Sequence, residues 1–179
     1  TVNDGFRDYG FNNFLAVSNL WGMQDDLVKL EATNPAQFRA ILDEALERYF
    51  QSMRDAGYQN GQILVEILDE PFDRTADKWL AFARGIKAVR PEAKIIANPP
   101  ADWPEGNMPT TLEGTFRRLA QYVDVWMPYS RHYENPAVLE FLKAEGKPLW
   151  FYNNLAVQTA RDESAIVSAY RRLGWLAIA

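Results

Sequence analysis

Cysteine is absent from the 179 residues, which excludes disulfides, thiolate nucleophiles and cysteine-ligated metals. That absence leaves the compartment open, since many bacterial secreted proteins also lack cysteine. Histidine occurs once, at His132, and its neighbour Ser130 is too close in sequence to suggest a nucleophile–base pair. A metal centre would need more ligands than Asp69, Asp102 and His132 offer, so no metal and no cofactor is expected. No G-x-G-x-x-G follows any apolar run, so the phosphate fingerprint of dinucleotide-binding sheets is missing. No hydrophobic run reaches transmembrane length, and the opening Thr1-Val2-Asn3-Asp4 has none of the features of a signal peptide. The net charge is −5 and the basic residues do not cluster, so nucleic acid is not an expected partner.

What is present is globular: 47% hydrophobic and 24% charged residues, with six tryptophans in a 13% aromatic share. That is more large aromatic surface than a core of this size needs. Along the chain a rhythm repeats, of helical pattern, short apolar run and polar loop. Phe11–Val17 reads as a strand. Asn34-Pro35 opens a helix, with the amide as N-cap and proline at the first helical position. Phe38, Ile41, Leu42, Ala45, Leu46, Tyr49, Phe50 and Met53 carry its 3.6-residue period, and Gly57 closes it. The run 63–68 (ILVEIL) is a strand, Ala76–Val89 a helix and Lys94–Ala97 a strand. A helix near Leu112–Tyr122 precedes a strand at 123–127. A second proline-opened helix, Asn135 to Gly146, precedes a strand at 148–152, and a last helix covers about 163–173.

Strands alternating with helices predict right-handed βαβ units and a parallel sheet. Polar and aromatic residues collect just past the strand ends: Asn19 and Trp21, Asp69 and Glu70, Asn98 and Trp103, Tyr129 and His132, Tyr152 to Asn154. That is the pattern of a (β/α)8 TIM barrel, whose sites form at the carboxyl ends of the strands. About six βα units are countable, where a barrel has eight in about 250 residues. Residues 1–179 are therefore expected to be a single domain and a fragment of a larger catalytic barrel. Gly5–Tyr9 reads as a helix feeding the first strand, and Leu176–Ala179 ends the chain on an apolar run. On this reading the missing strands come from the rest of the native chain or from another subunit. A complete, smaller α/β sheet is the alternative.

The stretch 63–73, ILVEILDEPFD, ends an apolar strand on two adjacent carboxylates and a proline. An adjacent acidic pair can be a turn, with Asp69 capping it and Glu70 solvated. It can also carry chemistry, because two ionised carboxylates side by side repel and their pKa values separate. On a regular strand Glu66, Leu68 and Glu70 share one face and Asp69 lies on the other. Asp69 reaches a ligand held by Glu70 only if the strand twists or bulges.

The segments LDEP, VDVWMPYS, KPLWFYNNL and RRLGWLAIA resemble the catalytic barrel of glycoside hydrolase family 123 and its related bacterial domains. The most specific pieces are Asp69-Glu70-Pro71, Trp150-Phe151-Tyr152 and the run from Arg172 to Leu176. The resemblance extends from about residue 60 to the end; the first 55 residues match only as generic βα pattern. It implies a β-N-acetylgalactosaminidase working by substrate-assisted retention, secreted or periplasmic, with carbohydrate as the partner. A retaining enzyme with its own nucleophile needs two carboxyl groups about 5–5.5 Å apart. In common barrel glycosidases that nucleophile ends the seventh strand, and here the corresponding 150–154, WFYNN, holds no acid. Substrate-assisted enzymes use the sugar's 2-acetamido oxygen instead. Asp69 then orients the acetamido group and stabilises the oxazolinium charge. Glu70 protonates the leaving group, its pKa raised by its neighbour and by partial burial.

A tyrosine that donates to the acetamido oxygen is either Tyr129 or Tyr152, both at strand ends. Trp21, Trp103, Trp126 and Trp150 are candidate sugar platforms, because a flat indole suits a pyranose face. Trp79 and Trp175 are assigned to the core. His132 reads as a substrate-lining or exposed loop residue. The loop 98–110, from Asn98 through Trp103, is long enough to contact substrate or simply to form a stiff proline-rich surface. Two rival functions remain. One is a two-carboxylate retaining glycosidase whose nucleophile lies outside this chain; the other is a non-catalytic carbohydrate-binding or scaffold domain.

Overall fold

The computed structural model describes residues 14–17, 24–101 and 108–150. Among these residues four parallel strands form one sheet in the linear order β1-β2-β3-β4: Phe14–Val17, Ile63–Glu66, Lys94–Ala97 and Val125–Trp126. A single parallel bridge, Trp126 to Leu149, extends the far side of β4. The helices are α1 (Gln24–Thr33), α2 (Pro35–Asp55), α3 (Ala76–Val89), α4 (Arg117–Leu119, entered through a π-type turn at Leu112–Phe116) and α5 (Pro136–Glu145).

Among the described residues this sheet is open, which corrects the expectation of an eight-stranded barrel. Closure requires eight strands whose first pairs with the last. Here β1 and β4 stand at opposite ends of a linear order. The rhythm that suggested a barrel is common to all parallel α/β folds. Alternating strands and helices dictate parallel pairing but do not dictate how many strands pair or whether they close.

Local chemistry sets the helix boundaries. Asn34 accepts from the Gln37 amide at 3.2 Å and Pro35 follows at N1, so α2 starts with one free amide capped and another absent. Asn135 does the same for α5 through the Ala137 amide at 3.1 Å, again before a proline. Gly146 ends α5 at φ +61, where a side chain would be strained.

One face of the sheet carries the helices. Ile63, Val65 and Ile67 from β2 and its exit join Ile95, Ala97 and Trp126 beneath the apolar stripes of α2 and α3. Phe38, Leu42, Leu46 and Phe50 recur every four residues along α2, which keeps them on one side of the helix. Where α2 crosses α3, Gly85 permits the approach: a Cβ there would stand 2.6 Å from both Phe38 and Leu42. The Tyr49 hydroxyl donates to the Leu64 carbonyl at 3.2 Å and fastens α2 to β2, and burial pushes its pKa up to about 12. At the amino end of the sheet Asp124 accepts from Lys87 Nζ and the Ile95 amide, both at 2.8 Å, which fixes β4 beside β3.

The other face groups Leu64, Ile96 and Val125, with Met127 and Trp150 packed against them. Period-two alternation puts Glu66 on this face, two residues beyond Leu64.

Candidate functional site

In a parallel α/β sheet ligands bind outside the carboxyl ends of the strands. That end of β2 holds three carboxyl groups within five residues. Glu66 is the last residue of the strand, paired with Val17 on β1 and Ile96 on β3, and only 3% exposed. Asp69 is exposed, Glu70 is half-buried, and the buried Pro71 follows. Burial, then the charges of Asp69 and Glu70, push the Glu66 pKa up to about 7. Desolvation penalises the charged form of any acid, and two nearby carboxylates penalise it further.

Asn98, the first residue past β3 and only 4% exposed, ties the pair down. Its Nδ2 donates to Asp69 Oδ1 at 2.6 Å, and its Oδ1 accepts from the Glu70 backbone N–H at 3.2 Å. Glu70 itself has φ +53, the one non-glycine residue with positive φ among the described residues. Regular strand geometry stops at Glu66, so the rule that placed Asp69 and Glu70 on opposite faces does not govern them.

Asp73, at the other end of DEPFD, does something else. Its carboxylate accepts from the Thr111 amide at 2.9 Å, the Thr111 hydroxyl at 2.7 Å and the Thr115 hydroxyl at 2.6 Å. It binds the exit of β2 to the start of the 112–119 helical segment, where Thr111 is the N-cap.

The remaining sequence candidates divide. Trp126 was read as a sugar platform, and the structure corrects this: it is 0% exposed, packed against Phe116 and Phe141 with ring centroids 5.4 and 6.4 Å away. An alternating strand sends Val125 and Met127 to one face and Trp126 to the helix side. Tyr129 is buried, and its backbone N–H donates to the Pro99 carbonyl at 2.9 Å. His132, expected to line substrate or be exposed, is buried. Its Nε2 lies 2.5 Å from the Pro100 carbonyl, which assigns the proton to that nitrogen, and its ring meets Phe116 edge-on at 4.9 Å. Both residues thus join the turn after β4 to the loop after β3. Trp150 is half-buried on the Leu64–Ile96–Val125 face, and its carbonyl accepts from the Tyr133 hydroxyl at 2.5 Å. Trp21, Trp103 and Tyr152 lie outside the described residues.

Sequence reasoning missed Glu66 as a member of the site. The signal was the single acid in an otherwise apolar ILVEIL. Among the described residues no group of three potential ligands is placed to hold a metal ion. No described helix is long and apolar enough to cross a membrane. A cavity of about 70 Å3 beside Glu47, Arg54 and Arg90 lies near the amino end of β3, the end opposite the carboxylates. No family model matches the chain, and no curated protein matches it. The resemblance to glycoside hydrolase family 123 therefore rests on the sequence segments alone.

Proposed function

We propose that the carboxyl end of β2 is the acid–base centre of a retaining, substrate-assisted glycoside hydrolase for β-linked N-acetylhexosamine, N-acetylgalactosaminide favoured. The observation that carries this reading is the contrast among three neighbouring carboxyls. Glu66 is buried and titrates near neutrality, Asp69 is exposed and held by Asn98, and Glu70 sits beside it on a constrained backbone. The adjacent Asp69 and Glu70 supply the two carboxyls such a reaction uses, at the end of the sheet where ligands bind, with the buried Glu66 beneath them.

In the first step Glu70 gives its proton to the leaving-group oxygen as the C1–O bond breaks, and the acetamido carbonyl oxygen bonds to C1. Asp69 accepts from the acetamido N–H and offsets the positive charge of the oxazolinium. In the second step water attacks C1, its proton passes to Glu70, and the bond from C1 to the acetamido oxygen opens. The β configuration is restored by the two inversions. Glu66, neutral below about pH 7, adds no third negative charge beneath the pair over that range.

The test compares an aryl β-N-acetylgalactosaminide with the matching aryl β-galactoside, using the full-length protein. Fast release from the first alone is the expected result, and equal rates on both would remove the substrate-assisted mechanism. The second reading is a non-catalytic carbohydrate-binding domain, because the exposed Asp69 carboxylate can accept from a sugar hydroxyl without any proton transfer. Calorimetric sugar binding without turnover selects it.

A further inference from the structure

The turn that carries the acidic pair lacks glycine where its geometry calls for one. An L-residue in the left-handed region is strained, and it persists only where surrounding groups over-determine it. At Glu70 the over-determining group is visible: the side chain of Asn98 takes the Glu70 N–H and, with its other end, grips Asp69. The amide's orientation follows from chemistry, because a backbone N–H meets only an acceptor and a carboxylate meets only a donor. Asparagine is the side chain of this length that offers both. Aspartate has no donor, leucine has neither group, and glutamine is a methylene longer.

We propose that Asn98 is the positioning residue of the acidic pair. One amide sets the backbone conformation of Glu70 and the orientation of the Asp69 carboxylate together, so that the two act from a fixed relative geometry. This assignment replaces direct substrate contact as the role of Asn98, and it rests on the acid–base reading of Asp69 and Glu70. It also accounts for the position of Asn98. A buried residue directly after β3 is held by the sheet itself, so the pair is anchored to a neighbouring strand rather than to its own loop.

The two arms of the amide can be separated. Asn98→Asp keeps an oxygen for the Glu70 N–H and loses the donor to Asp69; Asn98→Leu loses both. In 15N-labelled full-length protein the Glu70 amide is expected to exchange at least tenfold faster in Asn98→Leu than in the native chain. In Asn98→Asp it stays protected within about threefold. Against the aryl β-N-acetylgalactosaminide, kcat is expected to fall about 10- to 100-fold in both variants with KM within about threefold, as misplacement of reacting groups predicts. Glu70→Gly gives a third arm, since glycine enters the left-handed region unaided; the melting-temperature drop caused by Asn98→Leu is expected to shrink in that background.

An unchanged Glu70 exchange rate in Asn98→Leu overturns the proposal. So does a KM that rises with kcat unchanged, which returns Asn98 to substrate contact. The exchange and melting measurements need no turnover. A protein that hydrolyses no sugar yet shows them refutes the glycosidase reading and leaves the Asn98 clamp standing. A hydrolase in which they are flat keeps the reading and loses the clamp.

Discussion

Asp73 and Asp69 lie four residues apart on the same excursion from β2, and their carboxylates have opposite fates. Asp73 accepts three hydrogen bonds, from Thr111 twice and Thr115 once, and works as a rivet between two segments. Asp69 accepts one among the described residues, from Asn98, and stays exposed. A saturated carboxylate has little capacity left for a ligand. An exposed carboxylate held at one oxygen keeps its other lone pairs for one. The lesson is that acidity alone does not mark a site in DEPFD; unsatisfied capacity at the carboxyl end of the sheet does.

The largest expected effect tests the open side of this comparison. Glu70→Gln and Asp69→Asn should each lower turnover of the aryl β-N-acetylgalactosaminide by about 10²- to 10⁴-fold. Their melting temperatures should stay close to the native value, since neither change removes core packing. Full activity in Asp69→Asn would strip that residue of its role.

Glu66 comes next, and its signature is a pH dependence of stability. The unfolded chain releases this proton near its ordinary value of 4.5, whereas the folded chain holds it to about 7. Between those values the folded state binds more protons, so stability falls as pH rises through the window. The contribution is fully present below about pH 4.5 and lost above about pH 7. The difference corresponds to a loss on the order of 3 kcal/mol. Glu66→Gln should therefore match the native chain near pH 4.5 and exceed it in urea denaturation at pH 8. A native chain whose stability parallels that of the variant across pH 4.5–8 would refute the buried-acid account.

Asp73→Ala sharpens the other side. It should cost about 2–3 kcal/mol in denaturation, from hydrogen bonds to a charged acceptor and a lost helix-start contact. The protein that remains folded should keep its turnover within a few-fold. Lost activity at unchanged stability would erase the distinction between the two aspartates.

Much of this was legible wherever the governing interaction is local. Asn34-Pro35, Asn135-Pro136 and Gly146 announce helix ends through groups within a few residues, and Ala76–Val89 and Lys94–Ala97 fall where the apolar pattern places them. Helix α1 escaped because QDDLVKLEAT buries little beyond Leu27, so its period is faint. Ile67 and Leu68 look like strand yet lie past its end, because burial continues after hydrogen-bonded pairing stops. Sheet closure is a non-local property that no local pattern reports. The acidic pair was legible as a strand-end feature. The Asn98 clamp was not, because it spans 29 residues between two strand ends, and neither was the positive φ of Glu70, which no glycine marks. Trp126 was misread because a tryptophan at a strand end looks the same in sequence whichever face it takes.

The smallest expected effect changes sign with its background, and that sign bears most directly on the rivet. A Cβ added at Gly114 would stand 2.2 Å from Asp73 Cγ and 2.3 and 2.5 Å from its oxygens. A free surface carboxylate would swing aside, but this one is held by three donors. Gly114→Ala alone should therefore cost about 1–2 kcal/mol, less than Asp73→Ala, because partial displacement can keep some of the bonds. In the Asp73→Ala background the obstacle is gone, and only helical propensity distinguishes glycine from alanine within the 112–119 segment. There the same substitution should stabilise by about 0.5–1 kcal/mol. A double-mutant cycle in urea measures both values, and a coupling near zero would mean that Asp73 is not fixed against Gly114. Turnover should be unaffected in every corner of the cycle beyond what the folded fraction accounts for, since the rivet and the open pair share a loop without sharing a task.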